Sequence, residues 1–328
     1  MENKRRLATL VGCNYASTRN ELRGCINDVK AMRDLLVHRL GFNAKDIVIL
    51  TDEVGAEVLP TGANIRQALR RMIDQAESGD ILLFHYSGHG TLIPPAKQQH
   101  GRPRHRDEAI VPSDFNLITD VDFRELVDRL PDRATFTMIS DSCHSGGLIQ
   151  NEKEQIGPST SLESSSTNLL HQRPKFIPFS SILRHLSSIS GLSSPHIADH
   201  LSTLFGSDAS PKFVPPTTTL HHPYMDHDEV HNDGGILLSG CQANETSADV
   251  SPDEVEGTEG KAYGAFSNAL QMVMRGEERK MSYREVVMKA RELLRQQGFE
   301  QQHPCLYCSD ENADKMFLMM DEVKEIGA

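Results

Sequence analysis

No stretch of the chain reaches 18 consecutive apolar residues, so no membrane-crossing helix is expected. A secretory leader is missing from the pattern too. Met1-Glu-Asn-Lys-Arg-Arg6 passes straight into a strand-like run, Leu7–Gly12, too short for a signal-peptide core. A cytoplasmic location is therefore expected, with the nucleus as a second compartment. The extracellular (apoplastic) space would be reached by non-classical release or from dying cells. Cysteine is sparse, six residues at 13, 25, 143, 241, 305 and 308, and the scatter fits reduced thiols better than a disulfide framework. Positive charge is in deficit: 34 Lys and Arg against 46 Asp and Glu give a net charge of −12. That balance argues against general nucleic-acid binding and adhesion to an anionic membrane, and it suits a basic substrate. No internal repeat is visible, and a monomer is expected.

What is present is an alternation of apolar runs and amphipathic stretches. Leu7–Gly12, Ile47–Leu50, the run after Asp80 and the run after Phe136 read as buried strands. Between them lie helical patterns from Asn27-Asp28 to about Leu40, from Asn64 to about Glu77, and from Thr119/Asp120 to Leu130. Strands without polar alternation, spaced by helices, predict an α/β fold with a mostly parallel sheet covered on both faces. Sites in such sheets lie at the carboxyl ends of the strands.

Composition shifts after Leu148. Residues 151–181 carry Ser, Thr, Gln, Lys and Pro with little periodicity and read as exposed and mobile. Two weak amphipathic stretches between Ile182 and Phe205 suggest a small helical pair. Order resumes with a strand at Gly235–Cys241, helices at 263–275 and 282–297, and a last, edge strand at Gln302–Tyr307, where Pro304 disfavours a central position. The predicted organisation is a large region, 1–150, a linker, 151–233, and a small region, 234–328, that completes the same sheet.

Two strand ends carry chemistry. Phe136-Thr-Met-Ile-Ser-Asp-Ser-Cys143 delivers a thiol to a glycine-rich turn. Asp80-Ile-Leu-Leu-Phe-His-Tyr-Ser-Gly-His89-Gly90 delivers an imidazole. A lone cysteine or histidine in either place is weak evidence, since most such thiols are packed core groups. The pair, 54 positions apart with the histidine first, points to catalysis. Cys143 would attack, His89 would manage the proton, and backbone N–H groups near Gly90 and Cys143 would hold the oxyanion.

Tyr86-Ser-Gly-His-Gly90 and Asp141-Ser-Cys-His-Ser-Gly146 resemble the histidine and cysteine motifs of the metacaspases. Leu10-Val-Gly-Cys-Asn-Tyr15, Cys25-Ile-Asn-Asp28, Asp107-Glu-Ala-Ile-Val-Pro112, Phe115–Phe123 and His303–Asp310 are similar to the plant type II group, whose members lack a zinc-finger prodomain. The resemblance covers 7–157 and 234–318. It implies a caspase-like three-layer α/β/α sandwich and a cysteine endopeptidase with protein and peptide substrates. Protein protease inhibitors are further candidate partners, and a role in plant programmed cell death or stress proteolysis is expected.

The resemblance places Asp28 opposite Asp141 in the pocket for the residue before the cut, with Cys25 and Ser87 close by. Two carboxylates there favour Arg or Lys. From the residues alone, Asp28 can equally be a helix N-cap and Asp141 a strand-end turn carboxylate. The resemblance also implies a zymogen that cuts its own linker after a basic residue. Arg173 precedes a proline, Arg184 falls in a helical pattern and Lys153 lies close to Cys143, which leaves Lys175-Phe176.

Most type II metacaspases need calcium. Here the loop Lys97–Arg106 has no carboxylate and the middle acid of the helix start is Val121, so calcium independence is expected, with at most a weak site around Asp107, Asp120 and Asp122. Eight of fifteen histidines lie in the linker (171, 185, 196, 200, 221, 222, 227, 231), which suggests that mild acid charges it, loosens it from the site and allows cleavage, so that activity is favoured at mildly acidic pH. Cys305-x-x-Cys308 is half of a zinc motif and reads as edge-strand packing. Two other classes are a non-catalytic caspase-like peptide-binding scaffold, disfavoured by the intact dyad, and a redox or metal protein, disfavoured by the lack of paired C-x-x-C motifs.

Overall fold

A computed structural model describes residues 4–94, 107–149, 153–157, 172–214, 235–242, 245–251, 260–277 and 279–319. Several features of the sequence lie outside the described residues: the basic loop 97–106, His171, His221, His222, His227, His231 and the acid-rich stretch 253–259.

The chain opens with β1 (Arg6–Gly12), α1 (Cys25–His38), β2 (Ile47–Thr51), α2 (Gly62–Asp74) and β3 (Ile81–Ser87). A small antiparallel sheet follows, made of β4 (Gly90–Ile93), β5 (Asp107–Ile110) and β6 (Ile118–Thr119). Next come α3 (Asp120–Val127) and β7 (Thr135–Asp141), then β8 (Glu154–Ile156), β9 (Gln172–Pro174), α4 (Phe179–Ser190) and α5 (Ile197–Phe205). The last part holds β10 (Gly235–Ser239), β11 (Ala248–Val250), β12 (Tyr263–Gly264), α6 (Ala265–Gly276), α7 (Tyr283–Gln296), β13 (Cys305–Tyr307) and α8 (Asp310–Ala313).

The main sheet has the order β2-β1-β3-β7-β10-β13-β8. Its first five strands are parallel, and β13 and β8 add antiparallel pairings at one side. Successive strand residues face opposite layers, as a pleated strand requires. In β3, Leu83 joins Val29, Leu36, Leu270 and Val286 on one face, while Leu82 and Phe84 join Ile65, Leu69 and Phe123 on the other. Both faces are buried, which is why these strands are apolar throughout.

Three local expectations change. Helix α1 starts at Cys25, two residues before the predicted start, with Gly24 as its N-cap and no side-chain cap. The Asp249 carboxylate accepts the amides of Arg23 and Gly24, each at 2.8 Å. Asp28 is thus an interior helix residue and not an N-cap. The strand at the end of the chain is not an edge: β13 begins after Pro304 and is covered by β8. Finally, of residues 172–177, expected to be exposed and mobile, Gln172–Pro174 form the strand β9, Phe176 bridges to Gly90, and Lys175 is 0% exposed, although Arg173 and Pro174 remain exposed. Backbone pairing to β11 orders this segment, a force that composition does not register.

The helical pair is present. Ile182, Leu186, Ile197 and Leu201 pack on Ile93, Val111, Phe115 and Leu117, a third core beside β4 and β5. Gly191 ends α4 in the left-handed conformation, φ 70°, that favours glycine.

Candidate active site

β3 and β7 are register-matched neighbours, with Ser87 opposite Asp141. Past that pair, one chain turns through Gly88 to His89 and the other runs through Ser142 to Cys143. The fold therefore brings the thiol and the imidazole to one end of the sheet.

His89 is held on three sides. Its Nε2 donates to the Asn20 carbonyl at 2.7 Å, its backbone N–H donates to the Tyr15 hydroxyl at 3.0 Å, and the Tyr15 ring lies 4.8 Å from its own. Nδ1 is buried and has no hydrogen-bond partner among the described residues. Burial lowers the imidazole pKa to about 4, although the Asn20 carbonyl opposes the shift. His89 is thus neutral with its free lone pair on Nδ1. The Cys143 sulfur, also buried, accepts from the Ser247 amide at 3.1 Å and lies 3.7 Å from the Ser247 carbonyl.

Residues 172–177 cross this site. β9 pairs antiparallel with β11, and the Lys175 amide donates to Ser247 O at 2.9 Å. On the far side, the Ile177 amide donates to Gly90 O at 3.1 Å. The Lys175 carbonyl oxygen accepts from Gly90 N at 3.0 Å and from Cys143 N at 3.2 Å. The next ring, Phe176, meets His144 edge-on at 4.8 Å. Gly90 has to be glycine, because an added Cβ would run into the Cys143 carbonyl.

The Lys175 side chain fills a closed pocket. Its ammonium lies 3.1 Å from Asp141, 3.5 Å from Asp28 and 2.9 Å from the Ser87 hydroxyl. Ser87 in turn donates to Asp28 at 2.7 Å. Burial favours the neutral form of Asp141, but Lys175, Ser247 and the Ser267 amide outweigh it and hold the carboxyl below its usual range. Asp28 goes the other way, pushed up by burial and by the Asp141 charge. Lys175 is raised: burial alone would lower it, but Asp141, the stronger partner, wins. Cys25 is buried beside Ser87, with its thiol pushed up by burial, and contributes packing and polarity rather than charge.

All the predicted site residues therefore meet: His89, Gly90, Cys143, Asp28, Asp141, Ser87, Cys25 and Lys175. The other candidate linker residues do not. Lys153 pairs with Asp310, Arg173 reaches outward to Glu21 O, and Arg184 is in α4. The sequence reading missed Ser247, which touches Cys143, Asp141 and Lys175, and Gly264, whose amide donates to both Asp28 oxygens at 2.9 and 3.0 Å. It also missed Tyr15 and Asp249. Each acts across more than 70 residues of chain, so no local spacing marks it.

A buried thiol and a neutral imidazole at adjacent strand ends, with two N–H groups aimed at one carbonyl, define a caspase-type cysteine peptidase. The comparisons agree: the caspase-domain family profile matches residues 5–315. The chain is 57% identical to metacaspase-9 of Arabidopsis thaliana over 324 residues, covering 96% of this chain and 97% of that one. It is 40% identical to metacaspase-6 of the same plant, over 95% and 99% of the two chains. The crystal structure of protein GSU0716 from Geobacter sulfurreducens superposes with TM-score 0.61 at 19% identity, covering 97% and 100%, and shows the fold alone. The chain belongs to the metacaspases and falls with the plant type II members.

Proposed function

We propose that the protein is an Arg/Lys-specific endopeptidase made as a zymogen, with its own Lys175–Phe176 bond as the first substrate. One observation carries this reading. The Lys175 ammonium sits between two buried carboxylates while its carbonyl accepts from both Gly90 and Cys143.

The chemistry follows from the geometry. The Cys143 sulfur leaves its Ser247 contacts, passes its proton to His89 Nδ1 and attacks the Lys175 carbonyl carbon. The Gly90 and Cys143 amides stabilise the oxyanion, a contribution of roughly 3–4 kcal/mol for a well-placed donor. His89 then protonates the Phe176 nitrogen, the C–N bond breaks, and a thioester to Lys175 remains. Water, with its proton taken by His89, hydrolyses the thioester and restores the thiol. Substrates in trans would use the same pocket after residues 172–175 withdraw.

The linker needs no loosening to be cut, since it already lies as a substrate strand. Acid would act at a later stage, on release of the cleaved segment. His200 lies buried between Ser187, Ser190 and Ser194, where it ties the end of α4 to α5. Processing is expected to tolerate mild acid and absent calcium, in a setting of plant cell death or stress proteolysis.

The test is a comparison of fluorogenic peptides ending in Arg, Lys, Asp or Leu, with the wild type and Cys143→Ala. Hydrolysis of only the Arg and Lys peptides, and only by the wild type, supports the reading. Hydrolysis by neither protein would favour the peptide-binding scaffold.

A further inference from the structure

Two acids, Asp107 and Asp120, meet where β5, β6 and the start of α3 come together, with Asp122 two residues further along α3. A divalent cation is the ligand such a corner invites, and calcium in particular takes six to eight oxygens, several of them anionic. The residues do not fit that cation. The Lys212 ammonium already lies 2.8 Å from Asp107 Oδ2 and 2.9 Å from Asp120 Oδ1. Asp122 is turned away: it accepts from the Thr119 amide at 2.9 Å and from Ser210 Oγ, and faces the Arg66 guanidinium at 3.6 Å. Among the described residues, no group of three or more His, Cys, Asp or Glu side chains is arranged to hold a metal.

Lys212 is brought there by a rigid piece of the linker. Ser210 caps the turn Pro211–Phe213 and also bonds Thr119 Oγ1 at 3.0 Å. Just before it, the Asp208 carbonyl accepts from Arg66 and from Asn116 Nδ2. Ala209 and Phe213 are buried in the third core. The lysine is therefore built in: packing on either side fixes its backbone, and 19% exposure of its side chain leaves little freedom.

The corner adjoins the catalytic groups. β5 runs from Asp107 to Ile110, pairs with β4 so that Ile110 faces Gly90, and is followed by Val111, whose amide donates to His89 O at 2.9 Å. Glu108, beside Asp107, accepts the Gly147 amide four residues past Cys143. Uncompensated repulsion between Asp107 and Asp120 would act on the strand that seats both an oxyanion donor and the base.

We propose that Lys212 is a resident cation: its ammonium fills the Asp107–Asp120 corner in place of a divalent metal and makes cleavage independent of calcium. This rests on the protease reading above, but half of its test does not use activity.

The first arm uses full-length Cys143→Ser protein, which cannot cut itself, with and without Lys212→Met. Thermal unfolding is followed in EDTA and in millimolar calcium. With Lys212 present, the midpoint should be the same in both. With Lys212→Met it should fall in EDTA and rise again in calcium, because two carboxylates then face an open corner. The second arm measures self-cleavage in the catalytic chain: wild type unaffected by EDTA, and Lys212→Met slowed about tenfold in EDTA, or about 1.4 kcal/mol, and restored by calcium. A wild type stopped by EDTA, or a Lys212→Met protein indifferent to calcium in the melting arm, overturns the proposal. If Lys212→Met does not fold, the Lys212→Met/Asp107→Asn/Asp120→Asn protein decides, since it carries none of the three charges. It should fold and ignore calcium; failure to fold would mean that packing, not charge, is what Lys212 supplies. If no protein cleaves under any condition, the protease reading fails while the melting arm still judges the cation.

Discussion

The Lys175 ammonium lies 3.1 Å from the Asp141 carboxylate, and neither side chain is exposed to water. A lysine directly after a proline, in a linker of low sequence order, has become one of the largest fully buried side chains among the described residues. Burial of this kind is costly unless the charge is paired and hydrogen-bonded. The pocket meets that requirement with Asp141, Asp28 and Ser87, so the buried linker lysine and the two buried acids explain each other.

Removal of one partner from a buried ion pair costs roughly 3–5 kcal/mol. Asp141→Asn should therefore lower kcat/KM on Arg and Lys peptides by about 10²-fold or more. Asp28→Asn should cost less, about tenfold, because Asp28 is farther from the ammonium and already pushed toward its neutral form. Steady-state kinetics on the two variants check the order; equal losses would show that the acids share the cation evenly.

Gly264 forms a wall of the same pocket. A Cβ there would overlap the Lys175 ammonium and the Asp141 and Asp28 carboxylates. Gly264→Ala should fold, since its φ of −80° suits alanine, yet leave the linker uncut and Arg and Lys peptides intact. Gel analysis of the expressed chain, with circular dichroism to confirm folding, reads this directly. Normal cleavage by the alanine variant would place the pocket elsewhere.

Acid sensitivity of the cut should follow His89. Its folded pKa is about 4 against an ordinary 6.5, so the imidazole stays a base well below neutrality, and Asp141 stays ionised alongside it. The sign for stability is the same: the depressed pKa contributes stability that is fully present above about pH 6.5 and is lost as pH falls toward 4. The first-order rate of self-cleavage, measured from pH 4 to 8, should therefore hold from neutral to about pH 5 and drop below it. A half-loss near pH 6.5 would mean that His89 is solvated before the cut.

Much of this site could be read from residue order alone. Cys143 and His89 stand out because an apolar strand that ends in small residues exposes whatever follows it. The pocket roles of Asp28 and Asp141, and a linker cut after a basic residue, come instead from the resemblance to the metacaspases, which leaves Lys175 among four basic residues. Ser247, Gly264 and Lys212 could not be read in that way. Their roles exist only once β11, β12 and the linker turn are laid against a helix and strands formed more than 80 residues earlier. The three-residue β9 left no periodic signal either; its order comes from backbone bonds to β11 and Gly90.

Glu108 is buried and raised to about 7 from 4.5, by burial first and by Asp120 in addition, against the Gly147 amide. A carboxyl that holds its proton when folded makes stability fall as pH rises from 4.5 to 7, by up to roughly 3 kcal/mol. Glu108→Gln should flatten that slope and gain stability near neutrality. Urea unfolding of Cys143→Ser proteins at both ends of the window reads it, and an unchanged slope would assign the proton to another group.

The most direct test of the account is the new N-terminus made by the purified chain. Edman or mass-spectrometric sequencing of the wild-type fragments should find Phe176, and the Cys143→Ala and Lys175→Ala chains should lack that end. A first cut at another residue in the wild type, or the same Phe176 end from the Cys143→Ala chain, would contradict the claim that the linker is this site's own substrate.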